Sequence, residues 1–461
     1  MTDTPADIVY IHPAKQRVGF PFGDPRLSYL TPFTIMPVGI IGLLNLLRQD
    51  GYLVRGLNYP AEAFIDTRFD LSEWLRQLHR PRLFLVDLHW YEHSFGALDV
   101  ARVCKQLHPG VPVVIGGMTA SLFAREILEH YAQVDYVIRG DAEAPLRRLA
   151  EVLLGGAEAS PALGSVPNLS FRSEGEVIEN ELTFRASPAD LDMQDFAATD
   201  LLDHAKRYQS FQYVGRRDQF IPSEEPRLLG HWLSIGRGCV HNCSFCGGGD
   251  QSHQRLAGRQ GFVMRSVERV VDEIEYLHDR GVHQIALTLD PAEVGEAYWK
   301  ALFTELQRRQ LRVGLYDEAF QLPSAEFIEA FAECADLEYS QIALSVLSGD
   351  ERTRRLNGKA FSNHELFSGL KTLRPHKVPL AIYYSFNLPG QNEASLRRTL
   401  FISQRIGRLY PPRLLIMYNQ PHTLDPYSPM SRRPDDFDID IELKCFGDYY
   451  AYCRRTALEN P

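Results

Sequence analysis

The stretch GRGCVHNCSFCGGG, residues 236–249, decides how the rest of the chain is interpreted. It places Cys239, Cys243 and Cys246, three of the seven cysteines, within eight residues. Three thiolates on one loop can hold three irons of a [4Fe–4S] cubane and leave the fourth iron open to chelate a small molecule. Glycines on both sides let such a loop wrap closely around a cluster without Cβ clashes. The segment therefore predicts a cluster with an open iron.

A structural zinc site and a chance clustering are the alternatives. Zinc needs a fourth ligand, and His241 is too close to its neighbours to complete a tetrahedron, although a distant residue would serve. The spacing of three and then two residues also differs from the paired two-residue knuckles of zinc ribbons. Cys104, Cys334, Cys445 and Cys453 are scattered along the chain, and we interpret them as small apolar residues.

Strand and helix patterns alternate on both sides of this loop. A strand at Trp232–Ile235 leads into it, and five helices, each followed by a strand, come after it up to Tyr418. Six strands with intervening helices predict a partial (β/α)6 barrel, whose active site would lie at the C-terminal ends of the strands.

Cys-x3-Cys-x2-Cys after the first strand of a partial barrel, with Phe245 before the last cysteine, resembles the radical S-adenosylmethionine superfamily. The resemblance implies that the open iron binds the amino and carboxylate groups of S-adenosylmethionine. Reductive cleavage of the bound molecule would then give methionine and a 5′-deoxyadenosyl radical. An external flavodoxin- or ferredoxin-like protein would supply the electron.

The resemblance also implies nucleotide contacts. Phe245 would lie near the adenine, and Asp290, where relatives carry a glycine-rich motif, would receive the amino group. Ser345 begins a segment in which Leu347 replaces a glutamate of many relatives, and Asn387 follows the fifth barrel strand.

The first 150 residues also alternate strand and helix patterns, from Ile8–His12 to Tyr136–Ile138. Such alternation predicts a parallel sheet covered on both faces, a doubly wound Rossmann-like domain. An α/β domain followed by a radical barrel resembles the cobalamin (B12)-binding subfamily of radical enzymes. The resemblance covers nearly the whole chain and implies cobalamin as a further cofactor.

Candidate cobalamin residues lie at two strand ends. Gly116-Gly117 follows the fourth strand, and Gly140-Asp141-Ala142-Glu143 follows the fifth. Open α/β sheets bind ligands at such ends, and glycine there would let the backbone approach a large ring.

The Asp-x-His-x-x-Gly loop of classical cobalamin domains is absent after the first strand, where the chain reads His12-Pro13-Ala14-Lys15. We therefore expect no axial histidine from that position. His89, after the third strand, would line the lower face of the corrin or simply pack within the domain. A domain that has lost cobalamin and only covers the barrel is a further alternative.

The predicted organisation has four parts. Residues 1–154 form the cobalamin domain, 155–225 a linker with a hairpin near Leu169–Leu182, 226–420 the barrel and 421–461 a C-terminal extension. The net charge of −10 argues against a large nucleic-acid footprint. No signal peptide or membrane-spanning stretch is recognisable, so we expect a cytoplasmic protein.

The sequence thus favours a cobalamin-dependent radical enzyme that methylates an unactivated carbon of a small molecule, plausibly in specialised metabolism. A radical cyclase or rearrangement enzyme with the same cofactors is the nearest alternative, and a non-catalytic cobalamin or cluster sensor is one from another class. A methylthiotransferase acting on RNA is disfavoured by the absence of three further clustered cysteines and by the negative net charge of the chain. No residue is assigned as catalytic acid or base.

Overall fold

A seven-stranded sheet organises the N-terminal part of the computed structural model. The model describes residues 5–15, 35–66, 68–155, 162–215, 228–422 and 424–459. The sheet order is β2-β1-β3-β4-β5-β6-β7, and the first five strands are parallel. The strands are β1 (Ile8–His12), β2 (Val54–Asn58), β3 (Leu83–Asp87), β4 (Val113–Gly116), β5 (Tyr136–Ile138), β6 (Leu169–Ser173) and β7 (Glu176–Glu179).

Both faces of this sheet are buried, as a parallel sheet requires. Along β1, Val9 and Ile11 pack into one core, whereas Ile8 and Tyr10 pack into another on the opposite face. The covering helices are Gly39–Gln49, Tyr59–Ile65, Leu71–Arg76, Ser94–Leu107, Met118–Leu122, Ala124–His130 and Glu143–Leu154. The predicted doubly wound fold is confirmed.

An antiparallel hairpin completes the sheet. Strands β6 and β7 are joined by Glu174 and Gly175, whose φ angles of 52° and 88° match the left-handed turn that suits a two-residue hairpin. Strand β6 pairs with β5, so the sheet continues into the segment that the sequence analysis assigned to a linker. The predicted boundary at residue 225 lies outside the described residues.

The C-terminal part contains a six-stranded parallel sheet in the order β15-β14-β13-β12-β11-β8. Each strand pairs with the next strand of this set along the chain, and a helix on the outer side connects them, which is the predicted (β/α)6 arrangement. The strands are β8 (Gly230–Leu233), β11 (Gln284–Leu287), β12 (Gly314–Ala319), β13 (Gln341–Leu347), β14 (Leu380–Ser385) and β15 (Leu415–Gln420). The main connecting helices are Val267–Asp279, Glu296–Arg308, Ala325–Cys334, Asn363–His376 and Glu393–Leu409.

Several elements were not predicted from the sequence. Strands β9 (Gly236–Cys239) and β10 (Gly261–Met264) form an antiparallel pair around the cysteine loop. The further helices are Pro188–Asp192, Ala205–Gln212, Asp250–Ala257, Pro291–Val294, Glu351–Leu356, Pro429–Arg432 and Phe446–Glu459. No helix in the described ranges is long and apolar enough to cross a membrane.

Two segments pack against both the N-terminal domain and the barrel. Phe196 is buried in the barrel core, while Leu201 and Leu202, a few residues later, are buried in the core of the first sheet. The C-terminal helix Phe446–Glu459 returns from the barrel to the first domain, where Phe446 is fully buried. These contacts set the C-terminal ends of the first sheet opposite the mouth of the barrel.

Candidate functional site

The cysteine loop leaves the barrel through β9 and returns through β10. Gly238 has a φ of +105°, and a Cβ there would lie 2.0 Å from the carbonyl oxygen of Gly261, so only glycine fits this close pairing. Backbone amides point at two of the sulfurs, with His241 N 3.4 Å from Cys239 Sγ and Gly248 N 3.3 Å from Cys246 Sγ. Such donors stabilise thiolates that ligate iron.

The loop also buries its thiols. Burial raises the pKa of Cys239, and burial with the nearby Asp425 carboxylate raises the pKa of Cys246 to about 12. Without a cation these groups would be neutral thiols, whereas a bound metal deprotonates its sulfur ligands. In the described part of the chain, no three His, Cys, Asp or Glu side chains are arranged to hold a single metal ion. The donor set of three cysteines on one amide-lined loop fits a [4Fe–4S] cluster.

The segment after the fourth barrel strand closes over this loop. A Cβ on Gly358, whose φ is +90°, would lie 3.0 Å from Cys243 Sγ. The neighbouring Lys359 is buried, and its Nζ donates a 2.7 Å hydrogen bond to the carbonyl oxygen of Phe320. The sequence analysis did not assign either residue to the site, because their proximity to the cysteines depends on the folded barrel.

Single serine replacements at Cys104, Cys334, Cys445 and Cys453 are expected to leave the iron content unchanged. Cys104, Cys334 and Cys453 are buried in apolar cores, and Cys445 is exposed. Iron and sulfide analysis of each anaerobically reconstituted variant provides the measurement. Loss of iron in a variant that is still folded by circular dichroism would show that a fourth protein ligand exists.

The nucleotide-binding candidates are held by protein contacts. Phe245 stacks on the ring of His422 with centroids 3.8 Å apart, and Asn387 donates from Nδ2 to the carbonyl oxygen of His422 at 2.6 Å. These two residues therefore belong to one cluster at the ends of β14 and β15. Ser345 lies on β13, in register with Tyr383 of β14. Their contacts with the nucleotide stay predictions.

Asp290 caps the short helix Pro291–Val294. Its Oδ1 accepts a hydrogen bond from Ala292 N at 2.9 Å, and its Oδ2 accepts one from Phe320 N at 2.8 Å. Burial raises its pKa to about 6. Both carboxylate oxygens thus have a structural function, and each retains a lone pair that could accept a further donor.

A cavity of about 570 Å³ opens between the first sheet and the barrel. Its walls come from the C-terminal ends of β3, β4 and β5, from the start of helix Gly39–Gln49, from barrel strand β8 and from Thr288, which follows β11. All six residues proposed for the cobalamin domain line it: His89, Gly116, Gly117, Gly140, Asp141 and Glu143. Burial lowers the pKa of His89 to about 4, so the ring is neutral at pH 7. Phe245, Asp290, Ser345 and Asn387 are not among its lining residues.

Two of the three glycines also have a packing function within the protein. A Cβ on Gly117 would lie 2.8 Å from the backbone of His89, and one on Gly140 would lie 2.8 Å from Leu256 O. Their φ angles of +111° and +64° also favour glycine. They therefore let protein segments approach each other. Only Gly116 has open space at its Cβ position, with Ile138 O 3.7 Å away.

Asp141 and Glu143 connect the two domains. Arg237, two residues before Cys239, donates from Nη1 to Asp141 Oδ1 at 2.9 Å and from Nη2 to Glu143 Oε1 at 2.6 Å. Arg259 forms a second ion pair with Asp141. These carboxylates thus join the cysteine loop to the first sheet. The sequence analysis missed both arginines, although the position of Arg237 beside the first cysteine was a signal.

Six buried polar atoms without a hydrogen-bond partner lie on the cavity wall, among nineteen in the described part of the chain. Leaving such an atom unpaired costs about 1–3 kcal/mol, so a cluster of them indicates a missing ligand. Donors and acceptors both occur among the described lining residues: Asp87 Oδ2, Glu143 Oε2, Trp232 Nε1, Thr288 Oγ1 and Arg259 Nε and Nη1. Apolar walls with donors and acceptors fit a corrin ring, whose flat apolar faces are surrounded by carboxamides.

The comparisons with known proteins agree with this geometry. The radical SAM superfamily model matches residues 233–401, and the B12 binding domain model matches residues 31–150. The hopanoid C-3 methylase of Methylococcus capsulatus is 26% identical over 53% of this chain and 41% of its own length. The anaerobic magnesium-protoporphyrin IX monomethyl ester cyclase of Synechocystis is 24% identical over 57% of this chain and 47% of its own. The chain thus spans less than half the length of these curated relatives.

A solved structure shows the same two-domain fold. The radical S-adenosylmethionine methyltransferase TsrM from Kitasatospora setae superposes with a TM-score of 0.64, covering 92% of this chain and 74% of TsrM at 18% identity. The two domain matches confirm the cofactor prediction of a [4Fe–4S] cluster, S-adenosylmethionine and cobalamin. The chain belongs to the cobalamin-binding radical S-adenosylmethionine enzymes.

Proposed function

We propose that the protein methylates an unactivated carbon of a small molecule. The observation that carries the proposal is a cavity of about 570 Å³ whose lining comes from both domains. With cobalamin held at the strand ends of the first domain, a substrate would bind on the side of the barrel. When bound, the cluster and S-adenosylmethionine would provide the radical that abstracts a hydrogen atom, and cobalamin would carry the methyl group.

The residues of this chain would fix the distance between the two cofactor sites. Arg237 lies two residues before Cys239 in the sequence and forms ion pairs with Asp141 and Glu143 of the first domain. These carboxylates are 4% and 2% exposed, so water screens the contacts weakly. Small displacements of reacting groups reduce rates strongly, which gives a rigid connection a direct catalytic value.

The cavity walls would exclude water. Met36, Leu44, Leu85 and Val114 contribute buried apolar side chains to the lining. A dry site limits side reactions of a reactive species and strengthens the electrostatic contacts within it. Cys239, Cys243 and Cys246 would hold the cluster at the barrel end, and a flavodoxin- or ferredoxin-like donor would reduce it.

Cyclisation is the second candidate, and the similarity to the magnesium-protoporphyrin cyclase favours it. That relative and the hopanoid methylase have similar identity to this chain, at 24% and 26%. The two chemistries differ in how S-adenosylmethionine is consumed. A methyl transfer from S-adenosylmethionine leaves S-adenosylhomocysteine, whereas a cyclase using the radical alone would leave only methionine and 5′-deoxyadenosine.

The test is product analysis on anaerobically reconstituted protein. The protein is loaded with iron, sulfide and hydroxocobalamin, freed of unbound corrin by gel filtration, and incubated with S-adenosylmethionine and dithionite. We expect retained cobalamin absorbance and formation of both S-adenosylhomocysteine and 5′-deoxyadenosine. The matched control is cluster-loaded protein without cobalamin, which should form 5′-deoxyadenosine only. 5′-Deoxyadenosine without cobalamin-dependent S-adenosylhomocysteine would reject methyl transfer and favour the cyclase.

A further inference from the structure

The inner face of the barrel combines small and aromatic side chains. Ala286, Ala343 and Ala381 form a cluster with Tyr316, around which Trp232, Tyr383 and Tyr418 pack. Trp232 and Tyr316 meet edge to face at 5.6 Å, and Tyr383 stacks on Tyr418 at 5.0 Å. Trp232 also lines the large cavity, so this aromatic region is continuous with it.

Glu318 places a carboxylate among these rings. It lies two residues after Tyr316 on β12 and therefore on the same face of the strand. The Tyr316 hydroxyl donates a 2.9 Å hydrogen bond to Glu318 Oε1, which confirms that the two side chains lie on the same face. Glu318 is only half-buried, whereas the preceding Asp317, on the opposite face, is completely buried.

Among the described residues, this carboxylate has no countercharge in direct contact, because no nitrogen of a lysine, arginine or histidine lies within 4.0 Å of it. Lys359 acts on it only through space, because its Nζ donates to Phe320 O. A partly buried carboxylate among aromatic rings, with one oxygen not fixed by Tyr316, is suited to bind an ammonium group.

We propose, building on the proposed function, that Glu318 and the rings of Trp232, Tyr383 and Tyr418 form a subsite for a positively charged nitrogen. The nitrogen belongs to a substrate amine, because the amino group of S-adenosylmethionine would ligate the open iron and therefore carry no positive charge. The carboxylate binds the charge, and the faces of the rings surround it.

The experiment measures binding to holoenzyme by calorimetry, with three probes of similar size. Benzylammonium, benzyl alcohol and benzoate each carry one phenyl ring but differ in charge. For wild-type protein saturated with S-adenosylmethionine, we expect benzylammonium to bind about ten-fold more tightly than benzyl alcohol, and benzoate to bind least. Glu318→Gln should abolish this preference. The matched control Glu329→Gln removes an exposed carboxylate outside the barrel and should keep it.

The affinity for S-adenosylmethionine provides a second control, because Glu318→Gln should leave it unchanged. Equal binding of ammonium and alcohol to wild-type protein saturated with S-adenosylmethionine, or an unchanged preference in Glu318→Gln, would overturn the proposal.

Iron and cobalamin content of Glu318→Gln verify that the near-isosteric variant is folded. Because the readout is binding, a failure of methyl transfer would leave the ammonium preference intact. The subsite and the proposed function are therefore tested separately.

Discussion

Replacing Cys239, Cys243 and Cys246 together by alanine is expected to reduce the iron content from about four atoms per chain to essentially none. All three sulfurs belong to one loop, and backbone amides point at two of them. With the ligands removed, the loop offers no alternative set of thiolates, because the other four cysteines lie elsewhere in the sequence.

Iron and sulfide analysis and the broad visible absorbance after anaerobic reconstitution measure this result. The same variant should bind S-adenosylmethionine much more weakly, since no open iron remains to chelate it. Cobalamin content provides an internal control, because none of the three cysteines lines the large cavity. Tightly bound zinc with little iron in the wild-type protein would contradict the cluster assignment.

Periodic patterns in the sequence were sufficient for both sheets. Strand β1 is buried over its whole length, and its continuous apolar run predicted a parallel strand covered on both faces. Barrel strands such as β11 and β13 are likewise apolar and buried, whereas β15 is partly exposed. In contrast, β9 has the sequence GRGC, and its pairing with β10 depends on Gly238 contacting Gly261 across the cysteine loop. A contact between distant residues leaves no local pattern.

Some residues of the candidate site were likewise recognisable from a local pattern, and others were not. The cysteines were recognisable because their spacing is local. The ion pairs of Arg237 and Arg259 with Asp141 join residues about one hundred positions apart, so no local pattern in the sequence connects them. The strand-end glycines were located from the sequence, but the function of Gly117 and Gly140 depends on which backbone faces them in the fold.

Substitution of Gly116 by tryptophan is expected to reduce bound cobalamin to about a tenth of the wild-type amount while iron content stays normal. Gly116 lines the cavity at the end of β4, and the nearest atom to its Cβ position is Ile138 O at 3.7 Å. Its φ is outside the left-handed region, so a large side chain can be accepted by the strand. An indole in the cavity would clash with a corrin, at a cost of about 1–3 kcal/mol even if the fold adapts.

The choice of glycine decides what the experiment can show. At Gly117 any side chain would collide with the backbone of His89, so loss of cobalamin there would also follow from local misfolding. The matched control is Gly110→Trp, which adds the same bulk at an exposed position before β4 with no atom within 4 Å of its Cβ. Cobalamin absorbance after gel filtration and iron analysis are measured on all three proteins.

Wild-type and Gly110→Trp protein should retain cobalamin, and Gly116→Trp should lose it selectively. Retention in Gly116→Trp at the wild-type level would place the corrin outside this cavity. If the wild-type protein itself retains none, the unpartnered atoms of Asp87, Trp232 and Arg259 must bind another ligand. Methyl transfer through cobalamin would then fail, whereas the cluster and the ammonium subsite of the barrel would be unaffected.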